Sequence, residues 1–195
     1  QQQNAQGRCF HGYTEDKVIG KGQYGNASLC TNLLSGEKVV VKALSKGVDS
    51  KQLNSFRKEV AAMRLVDHPN IVKYIDSFDD DENSYIVMEY AGGGDLEGLL
   101  VNGQVDELVG VRILHQLLSA LKVIHSKKIV HKDVKPENVL LDSEGNVKLA
   151  DFGIAKILEY EGDMGTTLAY SKEYGAPELF KEGKYDTKYD IFSAG

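Results

Sequence analysis

The chain has 195 residues, with 23 Lys and Arg against 29 Asp and Glu, for a formal net charge of −6. That balance argues against a nucleic-acid-binding domain, which needs a broad basic surface, and favours a soluble protein. The two cysteines, Cys9 and Cys30, make neither a disulfide framework nor a zinc spacing, so a reducing, cytoplasmic setting is expected. No apolar run approaches the roughly 20 residues that span a bilayer, and no membrane partner is expected.

In chain order, the opening Gln1-Gln2-Gln3-Asn4-Ala5-Gln6-Gly7 reads as a polar tail, and residues 1–10 are expected to lie outside the domain. Tyr13 to Ile19 alternates polar and apolar, Gly20-Lys21-Gly22-Gln23-Tyr24-Gly25 follows, and Asn26 to Thr31 resumes the alternation. The pattern is strand, turn, strand; because these glycines do not open a helix, a dinucleotide-binding βαβ unit is disfavoured. Val39-Val40-Val41-Lys42 reads as a further strand.

Over residues 51–66, Leu53, Phe56, Val60, Met63 and Leu65 or Val66 recur near helical spacing, while Lys51, Arg57, Lys58, Glu59 and Arg64 take the polar positions. Pro69 marks the stop, and His68 beside it is read as a structural hydrogen-bonding residue. Ser84 to Ala91 is a strand running into a glycine-rich loop. Residues 107–127 form the clearest amphipathic helix, with Val111, Leu114, Leu118 and Leu121 as its stripe and Leu117 and Ile124 widening it, which predicts a core-packed helix. His115 and His125 on that helix are assigned no chemistry, since no acid or cysteine spacing around them suggests a metal.

The most informative stretch is His131-Lys132-Asp133-Val134-Lys135-Pro136-Glu137-Asn138, followed by Asp151-Phe152-Gly153. Phosphoryl transfer from a metal–nucleotide complex needs a carboxylate for the acceptor hydroxyl, a cation near the transferring group, and oxygen ligands for a divalent metal. Asp133, Lys135, Asn138 and Asp151 offer those chemistries. Val139-Leu140-Leu141 and Asn146-Val147-Lys148-Leu149 read as two short strands around the turn Asp142-Ser143-Glu144-Gly145. Such a hairpin brings Asp151 back beside Asn138.

These motifs, in this order, resemble the protein kinase family, serine/threonine class, from about Tyr13 to the last residue. The resemblance implies an α+β bilobal fold, with an N-lobe over 11–88 (a small antiparallel sheet and one helix), a hinge over 89–94, and an incomplete, mainly helical C-lobe over 95–195. It implies ATP between the lobes with Mg²⁺ on Asn138 and Asp151. Asp133 would orient the acceptor hydroxyl, Lys135 would stabilise the transferring phosphoryl group, and Lys42, paired with Glu59, would position the phosphates.

The resemblance also assigns Ile19, Gly20, Lys21, Gly22, Gln23, Tyr24, Gly25, Ala27, Val40, Met88, Glu89, Ala91, Asp95, Glu137 and Leu140 to the nucleotide. Ala27 stands where valine is usual, giving the adenine a thinner apolar lid. Lys135 and Ser171 point to serine or threonine of a protein substrate as acceptor. Ala176-Pro177-Glu178 closes a loop whose hydroxyls Thr166, Thr167, Tyr170 and Ser171 could take phosphate from an upstream activating kinase. Lys132, where regulated members usually carry arginine, would hold such a phosphate less firmly.

The alternative is a pseudokinase or inactive fragment acting as a nucleotide-binding or interaction module. The chain is expected to lack later C-lobe helices: Asp190 should support the catalytic-loop backbone, while the arginine that pairs with Glu178 in this family is expected beyond Gly195.

Overall fold

The computed structural model describes residues 9–22, 25–153, 155–158, 165–166, 172–178 and 184–195. The chain divides into two compact units, Gln1–Phe56 with Tyr74–Tyr90, and Arg57–Lys73 with Ala91–Gly195.

The first unit is built on one antiparallel sheet of six strands: β1 (Cys9–Phe10), β2 (Tyr13–Gly22), β3 (Gly25–Asn32), β4 (Lys38–Ser45), β5 (Tyr74–Asp79) and β6 (Asn83–Glu89), in the order β1-β2-β3-β4-β6-β5. β2 and β3 close at Gly22 opposite Gly25, the strand–turn–strand expected of the glycine-rich stretch. Gly25 has φ +141°, and a Cβ there would lie 1.7 Å from the Ala43 carbonyl oxygen, so only glycine fits.

The sheet curls until its two ends meet through aromatic rings. Phe10 on β1 lies 5.4 Å from Tyr85 on β6, and Tyr13 on β2 stacks at 6.4 Å on Phe78 of β5. With Cys30, Val39, Val41 and Val87 these rings form the core of the unit. Cys9 and Phe10, read from the sequence as part of the polar tail, pair with Thr14 and Tyr13, and Phe10 is buried. Phe10 enters the sheet because a ring buried against Tyr85 more than offsets the ordering of two residues.

The second unit contains a helical scaffold and short strands. Helix α1 (Ser50–Arg64) starts in the first unit and belongs to the second from Arg57 onward, where Glu59, Ala62 and Met63 are buried; of the two alternatives for its last apolar position, Val66 is buried and Leu65 is 49% exposed. Helix α2 spans Leu96–Val101, α3 spans Glu107–Ser126, and α4 spans Lys188–Ala194. Both α2 and α3 start on an aspartate cap, Asp95 Oδ1 accepting from Gly98 N and Asp106 Oδ1 from Val109 N, each at 2.8 Å.

α3 packs on β7 (Ile129–Val130), β9 (Val147–Leu149) and α4. Its buried face is Ile113, Leu117, Ala120, Leu121 and Ile124. The expected stripe is therefore displaced: Val111, Leu114 and Leu118 are exposed at 61%, 42% and 39%. The helix is apolar around most of its girth, and two stripes obey the three–four spacing, so periodicity alone cannot choose between them. By length and composition alone α3 could also cross a membrane. Here Arg112 and Gln116 on its flank are instead bonded to a neighbouring turn.

β8 (Val139–Leu141) and β9 form a hairpin. It is extended on both sides within the unit: Val72 N donates to Leu149 O and Leu149 N to Asn70 O, while Gly93 N donates to Leu141 O and Leu141 N to Gly94 O. These bonds tie residues 70–72 to the second unit, a stretch the sequence grouped with the first lobe. A Cβ on Gly93 would lie 2.2 Å from Asp142 O, which explains why the loop meets β8 at a glycine. The remaining strands are β10 (Lys156–Ile157), paired with β7, and β11 (Gly165–Thr166), paired with β12 (Lys184–Tyr185).

If Phe10 is part of the core, Phe10→Ala should destabilise the chain by about 3 kcal/mol. Cys9→Ala, at an exposed neighbour, should change stability by roughly 0.5 kcal/mol or less. Urea melts of the two variants and wild type check this.

Candidate active site

In the first unit the strand registers sort the expected nucleotide residues. Gly20 pairs with Ala27, Ala27 with Lys42, and Val40 with Met88. Because side chains alternate across a strand and directly paired residues share a face, Gly20, Ala27, Val40, Lys42 and Met88 stand on one face of the sheet. The aromatic core, with Val39 and Val41, occupies the other. Ala27, Val40, Lys42 and Met88 are all half-buried.

Ile19, 44% exposed, sits where the β2–β3 register shifts between Val18 and Gly20. Lys21 and Gly22 complete β2, opposite Asn26 and Gly25. Gln23 and Tyr24 lie outside the described residues, as do Thr167, Tyr170 and Ser171. Glu89 ends β6 opposite Val39.

In the second unit Glu59 is 2% exposed on α1, and a carboxylate so deep must be held by donors or a cation. Ala91 is half-buried. Asp95, expected at the ribose, spends Oδ1 on the α2 cap and lies in a bridge to Leu140.

The loop over residues 131–138 is dense in polar contacts. Asn138 Nδ2 donates to the Asp133 carbonyl at 2.8 Å and to Asp133 Oδ2 at 2.9 Å, and Lys135 Nζ lies 3.1 Å from the same oxygen. Three of the four residues chosen for phosphoryl chemistry thus touch one another. Asp151, the fourth, follows β9, and the Ala150 N–H beside it donates to Asn138 O at 2.9 Å. Glu137 is exposed between them, in the 3-10 turn Pro136–Asn138.

His131 binds the two halves of this construction. Its Nε2 faces Ala150 O at 2.9 Å and its Nδ1 accepts Asp133 N at 3.3 Å, a pair of bonds that sets the Nε2–H tautomer. The Phe152 ring meets the imidazole edge-on at 4.8 Å. Lys132 and Asp151 both adopt left-handed backbones, φ 69° and 61°, which non-glycine residues hold only where neighbours enforce them.

For Lys132 the enforcing group is Asp190. Its fully buried carboxylate accepts His131 N through Oδ2 and Lys132 N through Oδ1, both at 2.8 Å, and His125 Nε2 lies 2.8 Å from Oδ2. Asp190 was expected to hold this backbone. His125, which was assigned no chemistry, fixes Asp190; helical spacing carries no signal for that contact, which arises 65 residues away in sequence. His68 is structural as expected, accepting Asn70 N and meeting Ser119 Oγ.

The Asn138 and Asp151 donor set fits a magnesium ion. Both offer oxygen, as a hard cation requires, and Asn138 presents Oδ1 because Nδ2 is committed to Asp133. Among the described residues no three His, Cys, Asp or Glu side chains form a metal cluster by themselves. Two protein ligands suit an ion that shares its shell with phosphates and water.

The Lys132 side chain is 7% exposed, with its Nζ 5.5 Å from the centre of the Tyr185 ring. Burial pulls its pKa from the usual 10.5 down to about 8; Lys58 and Lys156 pull the same way and Asp190 opposes them. The unfolded chain then holds more protons than the folded one between about pH 8 and 10.5, so this group's contribution to stability rises with pH through that window. Lys132→Met should be more stable than wild type at pH 7, and the advantage should fall by on the order of 1–3 kcal/mol by pH 10, as read from urea melts at the two pH values.

Comparison with known proteins agrees with this geometry. The chain is 36% identical over 189 residues to "Probable serine/threonine-protein kinase MARK-C" of Dictyostelium discoideum, covering 94% of this chain and 24% of that protein. It is 38% identical over 186 residues to "Serine/threonine-protein kinase KIC1" of Saccharomyces cerevisiae, covering 94% of this chain and 17% of that one. It therefore spans about a quarter or less of the length of these curated relatives. The family model described as "Protein kinase domain" matches residues 13–195, and the chain belongs to that family.

Proposed function

We propose that this chain transfers the γ-phosphoryl group of ATP to serine or threonine hydroxyls of a protein substrate. The observation that carries the reading is the mutual bonding of Asp133, Lys135 and Asn138, with Asp151 beside them across the β8–β9 hairpin. Two relatives named serine/threonine-protein kinases support the acceptor class.

In this reading Asp133 orients the acceptor hydroxyl and takes its proton, while Lys135 lies against the transferring group. Lys42 and Glu59 take the roles that the family gives to its strand lysine and helix glutamate in positioning the nucleotide phosphates. Asn138 and Asp151 would hold magnesium, which would neutralise the phosphate charge. An upstream kinase acting on the loop before Ala176, and an intracellular setting, belong to the same proposal.

Asp151→Asn should weaken Mg-ATP binding about tenfold or more and leave metal-free adenosine within roughly twofold. Calorimetry on the full-length protein checks this, and equal weakening of both ligands would remove the metal role.

Given mixed peptides, the full-length protein should phosphorylate serine and threonine in preference to tyrosine, as mass spectrometry would read. Predominant phosphotyrosine would sink the acceptor assignment. Mg-ATP binding with no transfer to any peptide would identify a pseudokinase instead.

A further inference from the structure

The hairpin that separates Asn138 from Asp151 has three residues in each strand, and so short a ribbon is marginal on its own. Its sides are bonded to residues 70–72 and 93–94. Its turn is gripped by helix α3. Gln116 Oε1 accepts Val147 N at 2.7 Å, and Gln116 Nε2 donates to Asn146 Oδ1 at 3.3 Å. Arg112 Nη2 reaches Gly145 O at 2.9 Å, and Glu144 O and Asn146 Oδ1 at 3.3 Å each.

The turn is itself stiff. Asp142 Oδ1 accepts Glu144 N and Asn146 N, Asp142 Oδ2 accepts Asn146 Nδ2, and Gly145 takes φ 76°. These bonds hold the Asp142 carboxyl below its usual pKa against the opposing effect of burial, so the bonded carboxylate is the stable form. A stiff turn fastened to a long helix transmits that helix's position down both strands. The strands lead to Asn138, one residue before Val139, on one side and to Asp151, two residues past Leu149, on the other.

We propose that Gln116, assisted by Arg112, is a positioning residue for the Asn138–Asp151 metal pair, acting through the β8–β9 hairpin. The proposal rests on the Mg-ATP reading above. Neither side chain touches the pair. Gln116 sets where β9 begins, and the hairpin carries that placement to the two ligands. Loosening the grip lets the oxygens drift by fractions of an ångström, which a small cation demanding near-octahedral geometry does not tolerate. A merely stabilising clamp would lower the melting temperature without selecting against the metal.

The test is calorimetric ATP binding by the full-length protein in EDTA and across a Mg²⁺ titration, with melting curves as the control for folding. Gln116→Ala should raise the Mg²⁺ concentration needed for half of the metal-dependent tightening by about tenfold and leave ATP affinity in EDTA within roughly twofold. Gln116→Glu, which keeps an acceptor for Val147 N but loses the donor to Asn146, should fall between alanine and wild type. If Gln116→Ala does not fold, Gln116→Glu and Arg112→Lys decide, each expected to shift the Mg²⁺ midpoint by a few-fold.

A wild-type midpoint in the folded variants, or equal loss of affinity with and without metal, overturns the positioning role. A wild-type protein whose ATP affinity ignores Mg²⁺ overturns the Mg-ATP reading instead, and this proposal with it.

Discussion

The second unit depends first on the carboxylate of Asp190. It is fully buried and meets donors from His131, Lys132 and His125 at 2.8 Å. Burying a charge costs far more than one hydrogen bond returns, so the arrangement is stable only with its oxygens bonded. What is obtained in exchange is geometric. Two consecutive backbone N–H groups are turned toward one side chain, which forces Lys132 into the left-handed region and sets the direction in which Asp133 leaves the loop. His131, once its own N–H is held, reaches Ala150 and Phe152 and so joins the loop to the segment that carries Asp151.

Much of this was legible in the residues. The catalytic loop, the hairpin after it, the strand–turn–strand of the glycines and the Lys42 strand are local patterns, each specified within a dozen positions by turn chemistry and alternation. The missed features are non-local or degenerate. His125 lies 65 residues from Asp190, and Gln116 lies 31 from Val147; no period links either pair. Helix α3 offers two apolar stripes, and the choice of Ile113 over Val111 and Leu114 follows from what β7, β9 and α4 place against it. Phe10 belongs to a two-residue strand too short to show alternation, and only the ring contact with Tyr85 reveals why it is ordered.

Lys132 shows how one position can serve structure and still carry a liability. Its backbone is indispensable to the Asp190 arrangement, while its side chain sits against Tyr185 with Lys58 and Lys156 lowering its hold on a proton. A guanidinium there would stay charged at any physiological pH and could grip an anion with two parallel bonds; an ammonium is a point charge whose hold on its proton burial weakens. The choice of lysine makes the charge at this position depend on pH near the upper end of the physiological range.

The two units hold the residues of the proposed function by different means. In the first, Lys42, Val40 and Met88 need only the pleat of a sheet whose other face is filled by aromatic rings, so strand register alone aims them. In the second, Asp133, Asn138 and Asp151 sit on irregular backbone, and each needs its own hydrogen bonds to stay in place. Irregular backbone is where several functional groups can converge, because a strand alternates its side chains and a helix spreads them around its axis. The cost is that its geometry is only as precise as the groups behind it. Asp190, His131, Arg112 and Gln116 are those groups; three of the four lie on helices α3 and α4, and His131 is bonded to α4 through Asp190.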